Sequence, residues 1–483
     1  MKKILILFLI CIPVLIACDD KEAGEKITVP DQQELTQSAY ADDETSGTVT
    51  FTATASWTAE VRKTAQAGDT RAEGVEWLTL DQYEGKAGEH TLSIKLAPNY
   101  TGKSRTGSIY ISSGKDEVTV DVTQQATAED GYIPEDPALT ATVFAAGLCR
   151  NSGGLNKATL WKYTDGQSPS MITLRSGGEN SVAYGVCTWN GNVYAVGMGA
   201  PTGTYDNAAL MWKYSEGGNV EEIILPNGSS ANDICVWNDA LWIGGNFWDD
   251  KNTAVLWKYK ADGTIERTVM PKEADHSYIN GVHATPDALY CVGFSSSDGK
   301  NSSATTWRYT EGAAIEKSVS SLPSSTTYAH AVTVTGGKVW TVGRERDKTT
   351  LHTTISMWID GNASLVLTGD PRYTSQATDV CTYNKAIYGC YYSEENNSDG
   401  NKRGYIFKYV DGPGPQKETL TNKDESHPST YPQSIAVSAG EVWVGGYYQD
   451  EAWRWPDETA QNAAVLWKSP LTGISNQKTT LLP

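Results

Sequence analysis

The chain reads Trp242-Ile243-Gly244-Gly245 and then, after a polar loop, Trp257-Lys258-Tyr259, and it repeats this phrase seven times. The aromatic of the first element falls at Phe144, Tyr194, Trp242, Tyr290, Trp340, Tyr388 and Trp443. The glycine follows at Gly147, Gly197, Gly245, Gly293, Gly343 and Gly446, with Tyr391 in the sixth place. The second element recurs as Trp161-Lys162-Tyr163, Trp212-Lys213-Tyr214, Trp307-Arg308-Tyr309, Trp358-Ile359-Asp360, Phe407-Lys408-Tyr409 and Trp467-Lys468-Ser469. A period of about 45–60 residues with several short strands per unit predicts a propeller blade.

Four strands can be placed in each unit. Strand A is an apolar run such as Asp233–Trp237 or Gly281–Thr285. Two-residue turns at Gly191-Asn192 and Asp239-Ala240, often preceded by Asn, lead into strand B, which carries the aromatic and ends at the glycine. Strand C carries Trp-Lys-Tyr, with Leu210, Trp212 and Tyr214 on one side and Met211 on the other, as a strand buried on both faces requires. Strand D holds Ile172–Leu174, Glu222–Leu225 and Arg267–Val269. Strands B, C and D occur seven times but strand A only six, because Thr142 to Gly147 has no hairpin before it. Seven blades with an incomplete first blade are expected over residues 138–483. The order and the A–B hairpin resemble a kelch-type blade, although the kelch Arg and spaced Tyr–Trp pair are absent.

Residues 27–126 follow a different pattern. Alternating runs at Thr48–Ala55, Thr91–Leu96, Ser108–Ser112 and Glu117–Thr123, parted by Gly- and Asn-bearing turns, predict a small antiparallel sandwich. Ser56-Trp57-Thr58-Ala59-Glu60-Val61, Trp77-Leu78-Thr79-Leu80, Asn99 with Gly102, Arg105-Thr106-Gly107-Ser108-Ile109 and Val120-Asp121-Val122-Thr123-Gln124-Gln125 together resemble a BACON domain. That resemblance implies an immunoglobulin-like fold and a link to carbohydrate binding, with a spacer role as the conservative alternative. Trp57 and Trp77 lie in apolar strand runs, so core packing is the expected role and a sugar platform the alternative. The fold class is therefore all-β, a sandwich followed by a propeller, joined by an acidic linker at 127–137 that holds Pro134 and Pro137.

The first residues read as a targeting segment. Lys2 and Lys3 precede an apolar run from Ile4 to Ile16 that is too short to span a bilayer as a helix. Leu15-Ile16-Ala17-Cys18 resembles a bacterial lipobox, which implies removal of 1–17, lipidation of Cys18 and a tether over 18–26. A plain signal peptide or an uncleaved anchor is the alternative. Asp19, Asp20 and Glu22 resemble the surface-export start of Bacteroidetes lipoproteins, which implies an outer-membrane, cell-surface location.

A formal charge of −19 argues against nucleic acid and disfavours an anionic membrane surface as partner. Of eight cysteines, Cys11 belongs to the signal and Cys18 is the lipid site. Cys187, Cys235 and Cys381 occupy one repeat position, filled elsewhere by His283, Thr333 and Ala436, so they read as buried thiols on separate blades. Cys149, Cys291 and Cys390 are similarly dispersed. The histidines show no metal-ligand spacing, and no nucleophile motif or phosphate-binding glycine loop stands out, so neither cofactor nor metal is expected.

The A–B turns are minimal, whereas the B–C and D–A loops, which share the opposite face, are long and rich in Asp, Asn, Ser and Tyr. Binding residues concentrate on such loops. Of sixteen tryptophans, thirteen belong to the sandwich or to repeat positions, leaving Trp248, Trp453 and Trp455 in B–C loops. The candidate ligand-binding set is Trp248, Asp249, Tyr391, Tyr392, Tyr431, Tyr447, Tyr448, Trp453, Arg454 and Trp455. Flat aromatics beside carboxylates and amides suit a sugar; packing within the loops is the alternative. Adjacent carboxylates such as Glu394/Glu395 and Asp249/Asp250 diverge, so no catalytic pair is assigned. The expected function is binding of a glycan or another extracellular ligand in a polysaccharide-capture system. Its rivals are a glycan hydrolase or lyase on the same face, and a scaffold docking another outer-membrane protein.

Overall fold

The computed structural model describes residues 26–63, 75–129, 133–134, 140–150, 154–177, 180–200, 207–271, 276–296, 301–320, 322, 324–366, 375–383, 385–393, 402–410, 414–420, 429–438, 440–449, 463–471 and 478–481. Apart from one 3-10 turn at Gln32–Leu35, every described element is a strand. No helix among the described residues is long and apolar enough to cross a membrane. The chain divides into two units, Met1–Ala128 and Glu129–Pro483.

The first unit is an immunoglobulin-like sandwich. One sheet runs in the order Ile27–Thr28, Thr45–Ala53, Gly88–Leu96, Leu78–Leu80. The other runs Thr36–Ala39, Asp116–Gln124, Arg105–Ser113, Trp57–Lys63, Glu84–Gly85, with its first pair parallel. Alternation delivers Val49, Phe51, Leu92, Ile94, Ile109, Ile111, Val120 and Val122 to the space between the sheets, all fully buried. Trp57 is core, edge-on to Phe51 at 5.0 Å. Trp77 packs against the same core beneath the Arg105 guanidinium, 4.5 Å from the ring centre.

The motif residues of this unit form a polar hub at one end. Asn99 is fully buried, and its Nδ2 donates to the carbonyls of Lys103 and Gln125, each at 2.8 Å. Gln124 is buried too; its Nε2 donates to the Ala41 and Ala97 carbonyls while its Oε1 accepts from Arg105 Nε at 2.8 Å. Buried amides with every group paired fix the loop ends to the sheets.

The second unit is a seven-bladed propeller: a three-stranded sheet over 142–173, then four-stranded antiparallel sheets over 181–224, 230–269, 276–320, 325–366, 375–419 and 429–481. Each four-stranded blade keeps the order A–B–C–D. Among the described residues blade 1 has no strand A, as the sequence indicates. Its strand B, Thr142–Arg150, has no buried residue, whereas strand B of blade 3, Ala240–Asp249, is buried along most of its length. The A–B turns lie one residue earlier than expected. Asn190-Gly191 and Asn238-Asp239 have positive φ at both positions, the requirement of a type I′ turn, which Asn and Gly meet at least cost.

The repeat phrase is an inter-blade lock. The strand C tryptophan is fully buried in most blades, with Phe407 replacing it in blade 6. The Tyr of the next blade packs on the strand B aromatic: Tyr259 on Tyr194 at 6.2 Å, Tyr309 on Trp242 at 5.1 Å, Tyr409 on Trp340 at 5.3 Å. The strand C lysine covers that aromatic from its own blade, as Lys258 does over Trp242 at 5.0 Å. In blades 1 and 3 it then reaches an acid two residues past the next blade's Tyr, pairing Lys162 with Glu216 and Lys258 with Glu311. The same rule closes the ring. Tyr163 of blade 1 packs on Trp443 of blade 7, and Lys468 pairs with Asp165 at 2.7 Å.

Candidate functional site

Every strand A carries a β-bulge at the same place, between Ala183 and Gly185, Ala231 and Asp233, Ile279 and Gly281, Ala329 and Ala331, Ala377 and Asp379, Pro432 and Ser434. The bulge draws strand A onto strand B just before it. A Cβ at Gly293 or Gly343 would stand 1.9 Å from the carbonyl oxygen of Tyr278 or Tyr328. That close approach is why the repeat ends strand B on glycine.

The cross-strand pair one step beyond this glycine lies towards the end of the blade where the B–C and D–A connections are. In blades 4 to 7 the pairs are Tyr278/Phe294, Tyr328/Arg344, Gln376/Tyr392 and Tyr431/Tyr447, all half-buried. They touch in succession. Tyr278 stacks on Phe294 at 4.6 Å, and Phe294 meets the edge of Tyr328 at 4.9 Å. The Arg344 guanidinium lies 4.7 Å from the Tyr328 ring centre, and its Nη1 donates to Gln376 Oε1 at 3.3 Å. Tyr392 donates to the same oxygen at 3.3 Å and meets Tyr431 edge-on at 5.1 Å. Tyr431 then stacks on Tyr447 at 4.8 Å. Lys402 Nζ sits over both Tyr392 and Tyr431, at 5.5 and 5.6 Å.

The band continues into blade 3. The Tyr278 hydroxyl lies beside Asn252, whose side chain acts on it and accepts from Asn246 Nδ2 at 2.8 Å. Asn252 faces Trp248 across the B–C hairpin, and Trp248 is 63% exposed. An exposed tryptophan thus heads a continuous row of aromatics, amides and two cations over five consecutive blades.

The structure sorts the expected site residues. Trp248, Tyr392, Tyr431 and Tyr447 join the band, all from strands rather than loops, because the strands run further than the repeat suggests. Strand B of blade 3 reaches Asp249 and strand C resumes at Lys251. Tyr391 and Tyr448 are corrections. Alternation turns both inward, where Tyr391 stacks on Tyr405 at 4.8 Å and Tyr448 meets Trp467 at 5.5 Å, leaving neither available to a ligand. Asp249 is on the other side of its hairpin from Trp248, where its charge acts on Arg267. Trp453, Arg454, Trp455 and Cys18 lie outside the described residues. Tyr278, Phe294, Tyr328, Arg344, Gln376 and Lys402 were not anticipated. The signal for several was present, since Phe294, Arg344, Tyr392 and Tyr447 each directly follow the repeat's glycine position.

Burial governs the electrostatics. It raises the Tyr392 hydroxyl, with the Arg344 charge opposing, and pushes Tyr447 up to about 12, helped by Tyr431 and Tyr392. These phenols remain neutral hydrogen-bond donors at physiological pH. His330, the bulge residue of blade 5, is lowered to about 3 by burial and then by Arg344, so it stays an uncharged imidazole.

The bulge also puts carboxylates on the innermost strands. Asp233 Oδ2 accepts from Val282 N of the next blade at 2.8 Å, and Asp379 Oδ2 accepts from Ser434 Oγ and Ile435 N at 2.8 and 2.9 Å. Burial raises Asp233 to about 7 and Asp379 to about 6. Each Oδ2 thus joins two blades, while each Oδ1 accepts from the next amide of its own strand, Ile234 N or Val380 N, at 2.8 Å. All six cysteines of the described residues are free, and Cys187, Cys235 and Cys381 face the strand B aromatics Tyr194, Trp242 and Tyr388, as expected of packing thiols. Among the described residues no cluster of three metal-ligating side chains occurs.

Comparison with known proteins agrees with the sandwich. Residues 68–125 match the BACON family, described as "Putative binding domain, N-terminal". No curated protein matches the chain. Among solved structures, the periplasmic gluconolactonase of Pseudomonas aeruginosa is 11% identical over 71% of this chain and 100% of its own, with a TM-score of 0.41. An apocarotenoid oxygenase of Synechocystis is 11% identical over 73% and 91%, with a TM-score of 0.42. A Bacteroides ovatus GH5 xyloglucanase is 16% identical, with a TM-score of 0.18, and the match covers 27% of this chain and 30% of that enzyme. At these scores none carries an argument about activity; the propeller rests on its own strand pairing.

Proposed function

We propose that this chain is a surface-tethered lipoprotein whose propeller binds a glycan through the Trp248–Tyr447 band, as part of a polysaccharide-capture system. The observation that carries the reading is the recurrence of one cross-strand position on blades 4 to 7, filled by Tyr278/Phe294, Tyr328/Arg344, Gln376/Tyr392 and Tyr431/Tyr447 and headed by the exposed Trp248. Aromatic rings stack on the C–H face of a pyranose, and the amides, phenols and cations beside them take its hydroxyls. Neutral phenols and a neutral His330 suit hydrogen bonding better than proton abstraction, which favours binding over a lyase reaction. The BACON match adds a carbohydrate-binding association to the same chain.

The tether is the lipobox-like Cys18. Metabolic labelling with an alkynyl fatty acid should mark the wild-type protein and not Cys18→Ala. For the propeller, a glycan array probed with the full mature chain should show binding that weakens in Trp248→Ala and Tyr431→Ala. Undiminished binding by both variants, or none by the wild type, rejects the reading.

A further inference from the structure

The band is aromatic, but its centre is cationic. Arg344 and Lys402 converge on one ring. Arg344 acts at the hydroxyl end of Tyr392, where Gln376 Oε1 accepts from both at 3.3 Å. Lys402 Nζ lies over the face of Tyr392 and also over Tyr431. Neither cation forms an ion pair among the described residues, and Arg344 Nε has no acceptor there. Elsewhere on this propeller two cations beside aromatics are neutralised, Lys258 over Trp242 by Glu311 and Lys468 over Trp443 by Asp165 and Glu441. Arg267 over Phe247 and Lys408 over Tyr388 stand singly, each beside one ring and without an ion pair among the described residues. Acids are plentiful in a chain with 58 Asp and Glu against 39 Lys and Arg. What sets this face apart is that two half-buried cations without described carboxylates meet at one ring, Tyr392.

The backbone of Lys402 is held in place: its N–H donates to Ser429 Oγ at 3.1 Å, and its carbonyl accepts from Thr430 N at 2.8 Å. Arg344 is fixed by strand pairing opposite Tyr328. A guanidinium and an ammonium prepositioned around stacking rings present charge-assisted donors to an anion. The overall charge of −19 opposes a polyanion only at long range, because salt screens beyond about 8 Å.

We infer that the glycan taken at this face is anionic, carrying a carboxylate or sulfate that Arg344 and Lys402 receive while a sugar ring meets the Tyr392–Tyr431 aromatics. The inference rests on the glycan-binding reading above and adds the charge of the ligand.

Affinity electrophoresis of the full mature chain tests it, with polygalacturonate, methyl-esterified polygalacturonate, dextran sulfate and dextran as gel additives. Lys402→Met and Arg344→Gln are run beside the wild type after circular dichroism and melting have confirmed folding. Retardation by polygalacturonate, lost on methyl esterification and weakened at least about tenfold in both variants, supports a carboxylate ligand, a loss of the size expected for a charge-assisted pair. The same pattern with dextran sulfate against dextran supports a sulfate ligand. Failure of both anionic polymers to retard the wild type overturns the inference, as does retardation that the two variants leave unchanged. If a neutral glycan on the array binds and depends on Tyr431 but not on Lys402 or Arg344, the charge inference falls and glycan binding stands.

Discussion

Tyr163 in the first blade packs on Trp443 in the seventh, their ring centres 5.9 Å apart, and this contact joins the two ends of the propeller. It repeats the Tyr309–Trp242 contact inside the ring, so closure uses the ordinary inter-blade lock, and among the described residues no sheet holds strands from both chain ends. Trp443→Ala should therefore destabilise the propeller by about 3–5 kcal/mol, the usual cost of emptying a buried indole site. Lys468→Ala, which leaves the rings in place, should cost about 1 kcal/mol or less because its acids are partly solvated. Urea unfolding followed by tryptophan fluorescence checks both, and equal effects would mean that the ion pair rather than the ring contact closes the ring.

The strand B glycines that face a bulged strand A should tolerate no side chain. Gly343→Ala sets a Cβ against the Tyr328 carbonyl and should cost about 3 kcal/mol, since two backbones must separate. Gly217 has a positive φ of 71° but open space around it, so Gly217→Ala should cost only about 1 kcal/mol of backbone strain. Melting temperatures of the two variants separate close approach from conformational freedom as the reason for the repeat.

Asp233 and Asp379 make stability fall with rising pH. Their folded pKa values of about 7 and about 6 lie above the value of about 4 for an unfolded Asp. Between about pH 4 and 7 these two acids therefore hold protons in the native state that the unfolded state has released, so their contribution to stability declines across that window. His283 and His330, lowered by burial to about 4 and about 3, contribute in the opposite sense. Denaturation midpoints measured from pH 4 to 8 should therefore rise more steeply with pH in the Asp233→Asn, Asp379→Asn double variant than in the wild type. An unchanged slope in the double variant would assign it to other groups.

Burial pushes the thiols of Cys187, Cys235, Cys291, Cys381 and Cys390 upward, Cys187 to about 12. At pH 8 these five should resist iodoacetamide in the native protein and react after unfolding, read residue by residue in tryptic mass spectra. Rapid native labelling of Cys291 or Cys390 would contradict the packing described.

How much of this was legible in the sequence differs between fold and site. The blades, their number and the missing first strand follow from Trp257-Lys258-Tyr259 and its counterparts, because each blade must bury the same large side chains against its neighbour. The site was only partly legible. Treating every aromatic after strand B as loop brought in Tyr448, which alternation buries, and Tyr391, which stands in the glycine's own place and stacks inside on Tyr405. Tyr278 and Tyr328 were missed because a bulge, invisible in composition, decides which strand A residue faces the open end. The roles of Lys402 and Arg344 depend on neighbours one blade away, and a single repeat does not reveal them.

The most direct test of the central claim is equilibrium binding of the array-identified glycan to the full mature chain with Tyr431→Phe, Tyr431→Ala and Tyr328→Ala. Tyr431→Phe keeps the stack on Tyr447 and guards against a folding artefact. The band predicts near wild-type affinity for Tyr431→Phe and a loss of about tenfold or more for each alanine, the scale of one aromatic contact at a binding hot spot. Unchanged affinity in both alanine variants, with folding intact, would place the site elsewhere on the molecule and contradict the claim.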